Sequence, residues 1–140
     1  LNFEKVLGDV VQSEGGIEDS VRSRIRATWC KWKDTASILM QKNIALSSRS
    51  QLYKSCVRPV LLYASETWPV TQTIENLIRR TEMKMLRWMM HLRLTDRVSN
   101  DEILGRLNME DISEALRKNR LRWFGHAERS KDPNVVAVNT

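Results

Sequence analysis

The sequence predicts a mainly α-helical protein, a bundle of about five helices in two parts that follows a short N-terminal strand or hairpin. Apolar residues recur every three or four positions through most of the 140 residues, which is the spacing of one helix face. Residues 3–11 differ, because Phe, Val and Leu cluster around Gly8 and a glycine turn follows at Gly15-Gly16. We therefore expect three segments, a strand and turn over 1–15, a helical region over 16–70 and a basic helical region over 71–140.

The first helix is predicted between Ile17 and Met40. Its apolar residues fall within an arc of about 80° when each residue advances the helix by about 100°. They are Val21, Ile25, Trp29, Trp32, Ala36 and Leu39. Arg22, Arg26 and Lys33 lie together on the flank of that face, where they either contact a polyanion or simply solvate the helix.

A second helix is predicted from a cap at Ser47 or Ser48 through Leu61. Pro59 lies inside it. Because proline lacks an N–H group and its ring clashes with the carbonyl one turn earlier, we expect a kink or a break near Val57 or Arg58.

A third helix is predicted after a cap at Thr71 or Thr73. One face carries a stripe of large apolar residues, which is typical of a core face. The stripe is Ile74, Leu77, Ile78, Met85, Trp88 and Met89, and the opposite face carries Arg80, Lys84 and Arg87.

Two further helices have clear starts. Ser99 and Glu102 have the spacing of a capping box that opens a short helix through Leu107. Asp111 and Glu114 are placed as first-turn acids of a last helix. That helix carries the apolar residues Ile112, Leu116, Trp123 and Phe124.

The charge balance favours polyanionic partners. The chain has 23 Lys and Arg against 17 Asp and Glu, a formal net charge of +6. The last helix is especially basic, and its cations alternate with Trp123, Phe124 and His126. Cations next to aromatic rings suit a nucleic-acid groove, and the alternative is a basic solvent face with Trp123 and Phe124 buried.

No catalytic or metal site is predicted. Cys30, Cys56, His91 and His126 are too far apart for the short ligand spacings of zinc sites. A polymerase needs paired carboxylates that hold two Mg²⁺ ions, and the sequence contains no Asp-Asp pair and no glycine-rich phosphate loop.

Both cysteines lie in apolar helical patterns, so we expect them in the core and the protein in a reducing intracellular compartment, nuclear or cytoplasmic. No apolar run approaches the roughly 20 residues of a membrane span, so we expect no membrane partner.

Three blocks of the sequence carry a family resemblance. They are Arg58–Trp68 (RPVLLYASETW), residues 82–103 (EMKMLRWM followed by DRVSNDEI) and Arg120–His126 (RLRWFGH). In this order they resemble the region that follows the catalytic palm in reverse transcriptases of non-LTR (LINE-type) retrotransposons. The segment Val6-Leu7-Gly8 also resembles the Tyr-Leu-Gly segment at the end of that family's palm. The chain departs from the family at Ala64, where Gly is usual, and at Val6, where Tyr is usual.

The resemblance implies a thumb and post-thumb region, a helical bundle that grips the RNA and DNA of a template-primer duplex. Residues 1–15 would then be the end of the palm. The catalytic aspartates and their Mg²⁺ would belong to the palm of a longer parent, an RNA-directed DNA polymerase, so this chain alone would have no catalytic residues and no cofactor. The missing palm and fingers of the parent would be its protein partners.

The same resemblance suggests which side chains contact nucleic acid. We expect phosphate contacts from the cations of the first and last helices, with His126 as a further contact or a packing residue. The set is Arg22, Arg26, Lys33, Arg117, Arg120, Arg122 and His126. The alternative functions are a non-catalytic helical module that docks a protein, and an inactive relic of a mobile element.

Overall fold

The computed structural model describes residues 19–69 and 71–130. The strand or hairpin expected over 3–11 lies outside these residues. The described chain is helical, with α1 (Asp19–Leu39), α2 (Leu46–Leu52), α3 (Arg58–Leu62), α4 (Gln72–Met89), α5 (Asn100–Leu107) and α6 (Ile112–Ser130). A π-helical turn, Tyr53–Val57, joins α2 to α3. Short 3₁₀ turns occur at Ser65–Thr67 and Leu94–Asp96. The predicted mainly α class is confirmed.

Helix α1 buries the face that its apolar spacing predicts. The large residues of that face, from Val21 to Leu39, are buried, and Ala36 packs against the same cluster. Helix α1 packs against α3 and α4. Two tryptophans of α1 make aromatic contacts in the core. Between ring centroids, Trp88 lies 5.5 Å from Trp29 and 6.3 Å from Trp32, and Tyr53 lies 6.4 Å from Trp32.

The sequence suggested a kink or a break at Pro59, and the chain accommodates the proline without a break. Residues 46–62 form one continuous helical run, and the backbone N–H of Arg58 donates to the carbonyl of Tyr53, five residues earlier. An ordinary α-helical turn would bring the proline ring against the carbonyl of Ser55, and the wider π turn relieves that clash. The predicted cap at Ser47 or Ser48 is also wrong, because Ala45 precedes α2.

The starts of α4 and α5 follow the predicted caps. The hydroxyl of Thr71 accepts a hydrogen bond from the Ile74 amide at 3.2 Å, and the hydroxyl of Ser99 accepts one from the Glu102 amide at 3.1 Å. Glu102 does not complete a capping box, because its carboxylate binds Arg106 at 2.6 Å.

Asp111 is the cap of α6, and its carboxylate accepts a hydrogen bond from the Ser113 amide at 2.8 Å. Partial burial acts to raise the pKa of Asp111. The Ser113 amide and the Arg79 guanidinium outweigh that effect and hold the pKa below its usual value.

One hydrophobic cluster contains residues from α1, α4, α5 and the first turns of α6. The expected division into 16–70 and 71–140 stays a prediction. Residues on both sides of position 70 contribute to this one cluster. The core also contains an ion pair. Arg58 and Glu82 are 92% and 99% buried as side chains, and the guanidinium binds both carboxylate oxygens, at 3.0 and 3.1 Å.

The expectation of buried cysteines is wrong. Cys30 is exposed and Cys56 is half-buried. Cys30 directly follows the buried Trp29, and one residue turns the side chain about 100° around the helix, away from the core face. Within the described ranges, no helix is long and apolar enough to cross a membrane.

Candidate nucleic-acid interface

A solvent-open cavity of about 710 Å³ lies between the end of the helical run 46–62, the turn after it and helix α6. We call it the α3–α6 cavity. Its lining residues are Lys54, Arg58, Pro59, Leu62, Tyr63, Ala64, Glu66, Asn119, Arg122, Trp123 and His126. These positions fall largely within the blocks Arg58–Trp68 and Arg120–His126. Two of the three family-like blocks therefore meet at one surface, although they are far apart in sequence.

Hydrogen bonds hold α6 against the turn that follows α3. The Asn119 side-chain amide donates to the hydroxyl of Ser65 at 3.2 Å. The Arg120 guanidinium donates to the carbonyl oxygens of Trp68 and Pro69, both at 3.0 Å. Ser65 and Trp68 are buried, so these contacts connect α6 to the core. The next residues of α6 are thereby positioned at the cavity.

Tyr63 directly follows α3 and lines the cavity, and it is 68% exposed to solvent. Arg24 of α1 lies over the ring, with the guanidinium carbon 5.0 Å from the ring centroid, and also donates to the Val60 carbonyl at 3.4 Å. This cation–π contact orients the ring.

The residue after Tyr63 has a strained backbone. Ala64 has φ 59° and ψ 19°, the left-handed region that a side chain disfavours. The turn is closed by Thr67, whose hydroxyl and amide both donate to the Ala64 carbonyl, at 2.7 and 3.1 Å. A glycine would meet this geometry without strain, which explains physically why Gly is usual here in the family that the block resembles.

We expect Ala64→Gly to raise the free energy of unfolding by about 0.5–1 kcal/mol. The relief of left-handed strain, about 1–2 kcal/mol, exceeds the entropy that glycine adds to the unfolded chain, about 0.4–1 kcal/mol. Urea denaturation measures the change. As a control, Ala27→Gly in the middle of α1 should lower the same quantity by about 1 kcal/mol. Equal destabilisation by both variants would contradict the strain at Ala64.

The charges on the cavity wall differ in their partners. The guanidinium of Arg58 is neutralised by Glu82, and the ammonium of Lys54 donates to the Asn108 carbonyl at 3.2 Å. Arg122 is exposed. Among the described residues, neither Lys54 nor Arg122 forms an ion pair with a carboxylate. Glu66, half-buried on the same wall, offsets part of their positive charge.

Behind the cavity, the Tyr53 hydroxyl supports the ion pair by donating to Glu82 Oε1 at 3.2 Å. Burial raises the pKa of Tyr53 well above its ordinary value, and the nearby Glu82 carboxylate raises it further. The phenol therefore stays protonated and remains a donor.

The predicted contacts of α1 lie apart from the cavity lining. Arg22 is half-buried, whereas Arg26 and Lys33 are exposed. All three are on α1, and none of them lines the α3–α6 cavity. They remain candidates for a separate stretch of nucleic-acid backbone.

The predicted contacts of α6 are divided. Arg122 and His126 line the cavity. Arg117 is exposed and forms an ion pair with Glu114 one turn earlier in the helix. The Arg120 guanidinium donates to the carbonyls of Trp68 and Pro69, so in this structure Arg120 positions α6.

The sequence left open whether Trp123 and Phe124 are buried. Trp123 is 52% exposed and the neighbouring Phe124 is 60% exposed, so the interpretation that both are buried is wrong. Beyond Leu116, α6 carries its aromatic residues away from the core cluster. Trp123 lines the cavity, whereas Phe124 does not.

Sequence reasoning missed Lys54 and Tyr63 as cavity residues. Lys54 gives no signal in the sequence, because its placement depends on the π turn. Tyr63 does, because it is a large aromatic residue just before a turn within the block Arg58–Trp68. An aromatic residue at such a position is as easily explained by packing, so only the exposed ring reveals it.

A second concave surface, of about 670 Å³, lies along α4 and the 3₁₀ turn after it. Its lining combines apolar residues such as Leu77 and Met83 with several arginines and Lys84. Arg79 and Arg87 have structural partners in neighbouring elements. Arg79 binds Asp111 at 3.2 Å and Arg87 donates to Asn100 at 2.9 Å and to the Val98 carbonyl at 3.0 Å. These arginines connect α4 to the starts of α6 and α5.

Across residues 19–69 and 71–130, no group of three or more His, Cys, Asp and Glu side chains is arranged to hold a metal ion. The sequence predicts no cofactor for this chain alone. The side chains that line the cavity offer charge, hydrogen bonding and ring stacking.

Comparison with known proteins gives one informative similarity. The chain is 27% identical, over 141 aligned residues, to an uncharacterised transposon-derived protein of Caenorhabditis elegans. The alignment covers 96% of this chain and 49% of that protein, so the chain spans about half the length of the relative it matches. No family model matches the chain, and no solved structure matches it.

Proposed function

We propose that this chain derives from a mobile element and is the thumb and post-thumb region of a LINE-type reverse transcriptase, binding the RNA and DNA backbones of a template-primer. The similarity to a transposon-derived protein over nearly the whole chain supports the first part. The three ordered blocks that resemble reverse transcriptases support the second.

The observation that carries the proposal is the meeting of the two outer blocks at the α3–α6 cavity. Tyr63 from one block and Trp123 from the other line the same concave surface with Arg122. A purely structural pair of blocks would be expected to meet in the core. Exposed aromatic rings beside cations are instead the composition of a nucleic-acid groove.

In this function the exposed cations neutralise phosphates without reading the base sequence. Arg26 and Lys33 on α1 and Arg122 on α6 are the best placed for it, because they are exposed. Arg117 has an exposed partner, and such surface pairs stabilise by only about 0–1 kcal/mol, so a phosphate can replace Glu114 at little cost. Arg120 acts indirectly, by holding α6.

Polymerisation itself would belong to the palm and fingers of the parent protein. The palm would supply the aspartates and the Mg²⁺ ions that activate the primer hydroxyl. This chain would bind the duplex behind that site, in the nucleus or cytoplasm.

The test is the fluorescence anisotropy of a labelled RNA–DNA hybrid titrated with the chain over a series of salt concentrations. We expect saturable binding that weakens steeply as salt rises, with a slope of about −0.9 for each phosphate contacted. Arg122→Glu and the double variant Arg26→Glu/Lys33→Glu should each weaken binding and reduce the slope.

Lys42→Glu is the matched control, because Lys42 is exposed in the turn between α1 and α2 and the variant changes the net charge as much as Arg122→Glu. It should bind nearly as well as the unchanged chain. Binding that ignores salt, or equal losses in all variants, would contradict the proposal. No binding by a folded chain would favour the protein-docking module or the inactive relic.

A further inference from the structure

The aromatic residues of the α3–α6 cavity are exposed, unlike the three tryptophans that are buried in the core. Trp29, Trp32 and Trp68 are at most 3% exposed, whereas Trp123 is 52% exposed and Tyr63 is 68% exposed. Packing therefore explains the first three and leaves the two cavity rings unexplained. Large aromatic rings left in water at a concave surface are typical of sites that bind a flat partner.

The Tyr63 ring is held in place before any ligand arrives. The Arg24 guanidinium lies over the ring at 5.0 Å from its centroid, and the left-handed backbone of Ala64 fixes the turn that follows. Arg24 lies over one face of the ring, and Tyr63 nevertheless remains 68% exposed. An oriented ring loses little conformational freedom on stacking, which favours binding.

Charge alone cannot account for binding in this cavity. Lys54 and Arg122 are its cations without a carboxylate partner among the described residues, and Glu66 opposes them. Two phosphate contacts on a single strand correspond to a salt slope of only about −1.4, so they contribute little affinity at physiological salt. Another interaction must supply most of the free energy of binding at this site.

We propose that the α3–α6 cavity binds unpaired nucleotides, whose bases stack on Tyr63 and Trp123 while Lys54 and Arg122 contact the flanking phosphates. The inference rests on the proposed function and names the strand form that this site takes. Base faces are available in a single strand, whereas in a duplex they are covered by neighbouring bases. The cavity thus holds a single-stranded portion of the template or primer, and the exposed cations of α1 remain for the duplex.

The test compares two labelled oligomers of about ten nucleotides, within the site sizes of single-strand binding folds. One is oligo-dT and the other is an abasic sugar-phosphate oligomer of equal length and charge. We expect the full chain to bind oligo-dT at least about tenfold more tightly than the abasic oligomer, since stacking requires a base. Quenching of tryptophan fluorescence should accompany oligo-dT binding alone.

Variants locate the effect. Trp123→Leu and Tyr63→Leu should each remove most of the preference for oligo-dT while leaving binding of the abasic oligomer unchanged. Tyr63→Phe should retain the preference, because it keeps the ring. Phe124→Leu is the matched control, since Phe124 is exposed and adjacent to Trp123 but lies outside the cavity lining. All three positions are exposed at 52% or more, so folding should survive each change.

The outcomes separate this inference from the proposed function. Equal binding of both oligomers, with salt-sensitive binding of the RNA–DNA hybrid intact, would overturn base stacking and leave the proposed function standing. A preference for oligo-dT that persists in Trp123→Leu and Tyr63→Leu would also overturn it. Loss of all polynucleotide binding by the folded chain would overturn both.

Discussion

Arg58→Met is expected to lower the free energy of unfolding by about 3–5 kcal/mol near neutral pH. The variant keeps an unbranched side chain but leaves the carboxylate of Glu82 buried without its cation. It also removes the donor to the Glu110 carbonyl, which the guanidinium reaches at 2.5 Å. Urea denaturation followed by circular dichroism measures the loss.

The pH dependence of that loss identifies its cause. Burial already raises the pKa of Glu82 above its ordinary value, although Arg58 opposes the effect, and the pKa must rise further when Arg58 is absent. A carboxyl with a raised folded pKa stabilises the folded state below its unfolded pKa, about 4.3, and that stability is lost as the pH rises. The variant should therefore differ least from the unchanged chain near pH 4 and most near pH 7.

Two comparisons make this prediction specific. Arg106→Met removes the partner of Glu102 in an exposed pair within α5, and it should cost only about 0.3–0.5 kcal/mol. The double variant Arg58→Met/Glu82→Leu should recover much of the lost stability, because no buried charge is left alone. Equal costs at Arg58 and Arg106, or a loss independent of pH, would contradict a buried ion pair as the source.

The sequence predicts the helices well because helix formation here depends on local pattern. The apolar arc of α1, the caps Thr71 and Ser99 and the acidic start of α6 at Asp111 each depend on residues within a few positions of one another. The π turn before Pro59 does not depend on local residues alone, because the lowest-energy way to accommodate a proline depends on which side chains of the following turn are buried in the core. Val57 and Leu61, on either side of the proline, are both buried, and the π turn accommodates Pro59 while both remain in the core.

The site was less predictable, because its residues come together only through tertiary contacts. Arg58 and Glu82 belong to different blocks, and in the sequence each of them resembles an ordinary charged surface residue. Arg120 has the sequence character of a phosphate contact, yet its guanidinium is used on the Trp68 and Pro69 carbonyls. Periodicity identifies the face of a charged residue but not the backbone groups that another segment brings to it.

Arg49 is, like Arg120, an arginine whose guanidinium donates to backbone carbonyls. Its replacement is the other change from which we expect a large loss of stability. Arg49 is 7% exposed, and its guanidinium donates to the carbonyls of Ile44 at 3.0 Å, Leu39 at 3.3 Å and Met89 at 2.5 Å. Leu39 and Met89 are the last residues of α1 and α4. One buried cation therefore satisfies carbonyls at the ends of two long helices, where the helix dipoles also favour positive charge.

Arg49→Met is expected to cost about 3–5 kcal/mol, since each buried carbonyl left without a donor costs about 1–3 kcal/mol and water cannot fully replace the guanidinium. The neighbouring Ser50→Ala is the matched control. It removes one buried, uncharged hydrogen bond, from the Ser50 hydroxyl to the Leu107 carbonyl at 2.6 Å, and should cost about 1 kcal/mol. Arg49→Lys should fall between them, because a single ammonium keeps the charge but cannot span three carbonyls.

Hydrogen exchange separates this role from a general loss of packing. If Arg49 joins the two helix ends, Arg49→Met should accelerate amide exchange in the last turns of α1 and α4 more than in α6, which receives none of the three hydrogen bonds. Ser50→Ala should instead act near the end of α5, at Leu107. Uniform acceleration along the chain, or a cost for Arg49→Met no larger than that of Ser50→Ala, would show that the buried guanidinium does not hold the two helix ends together.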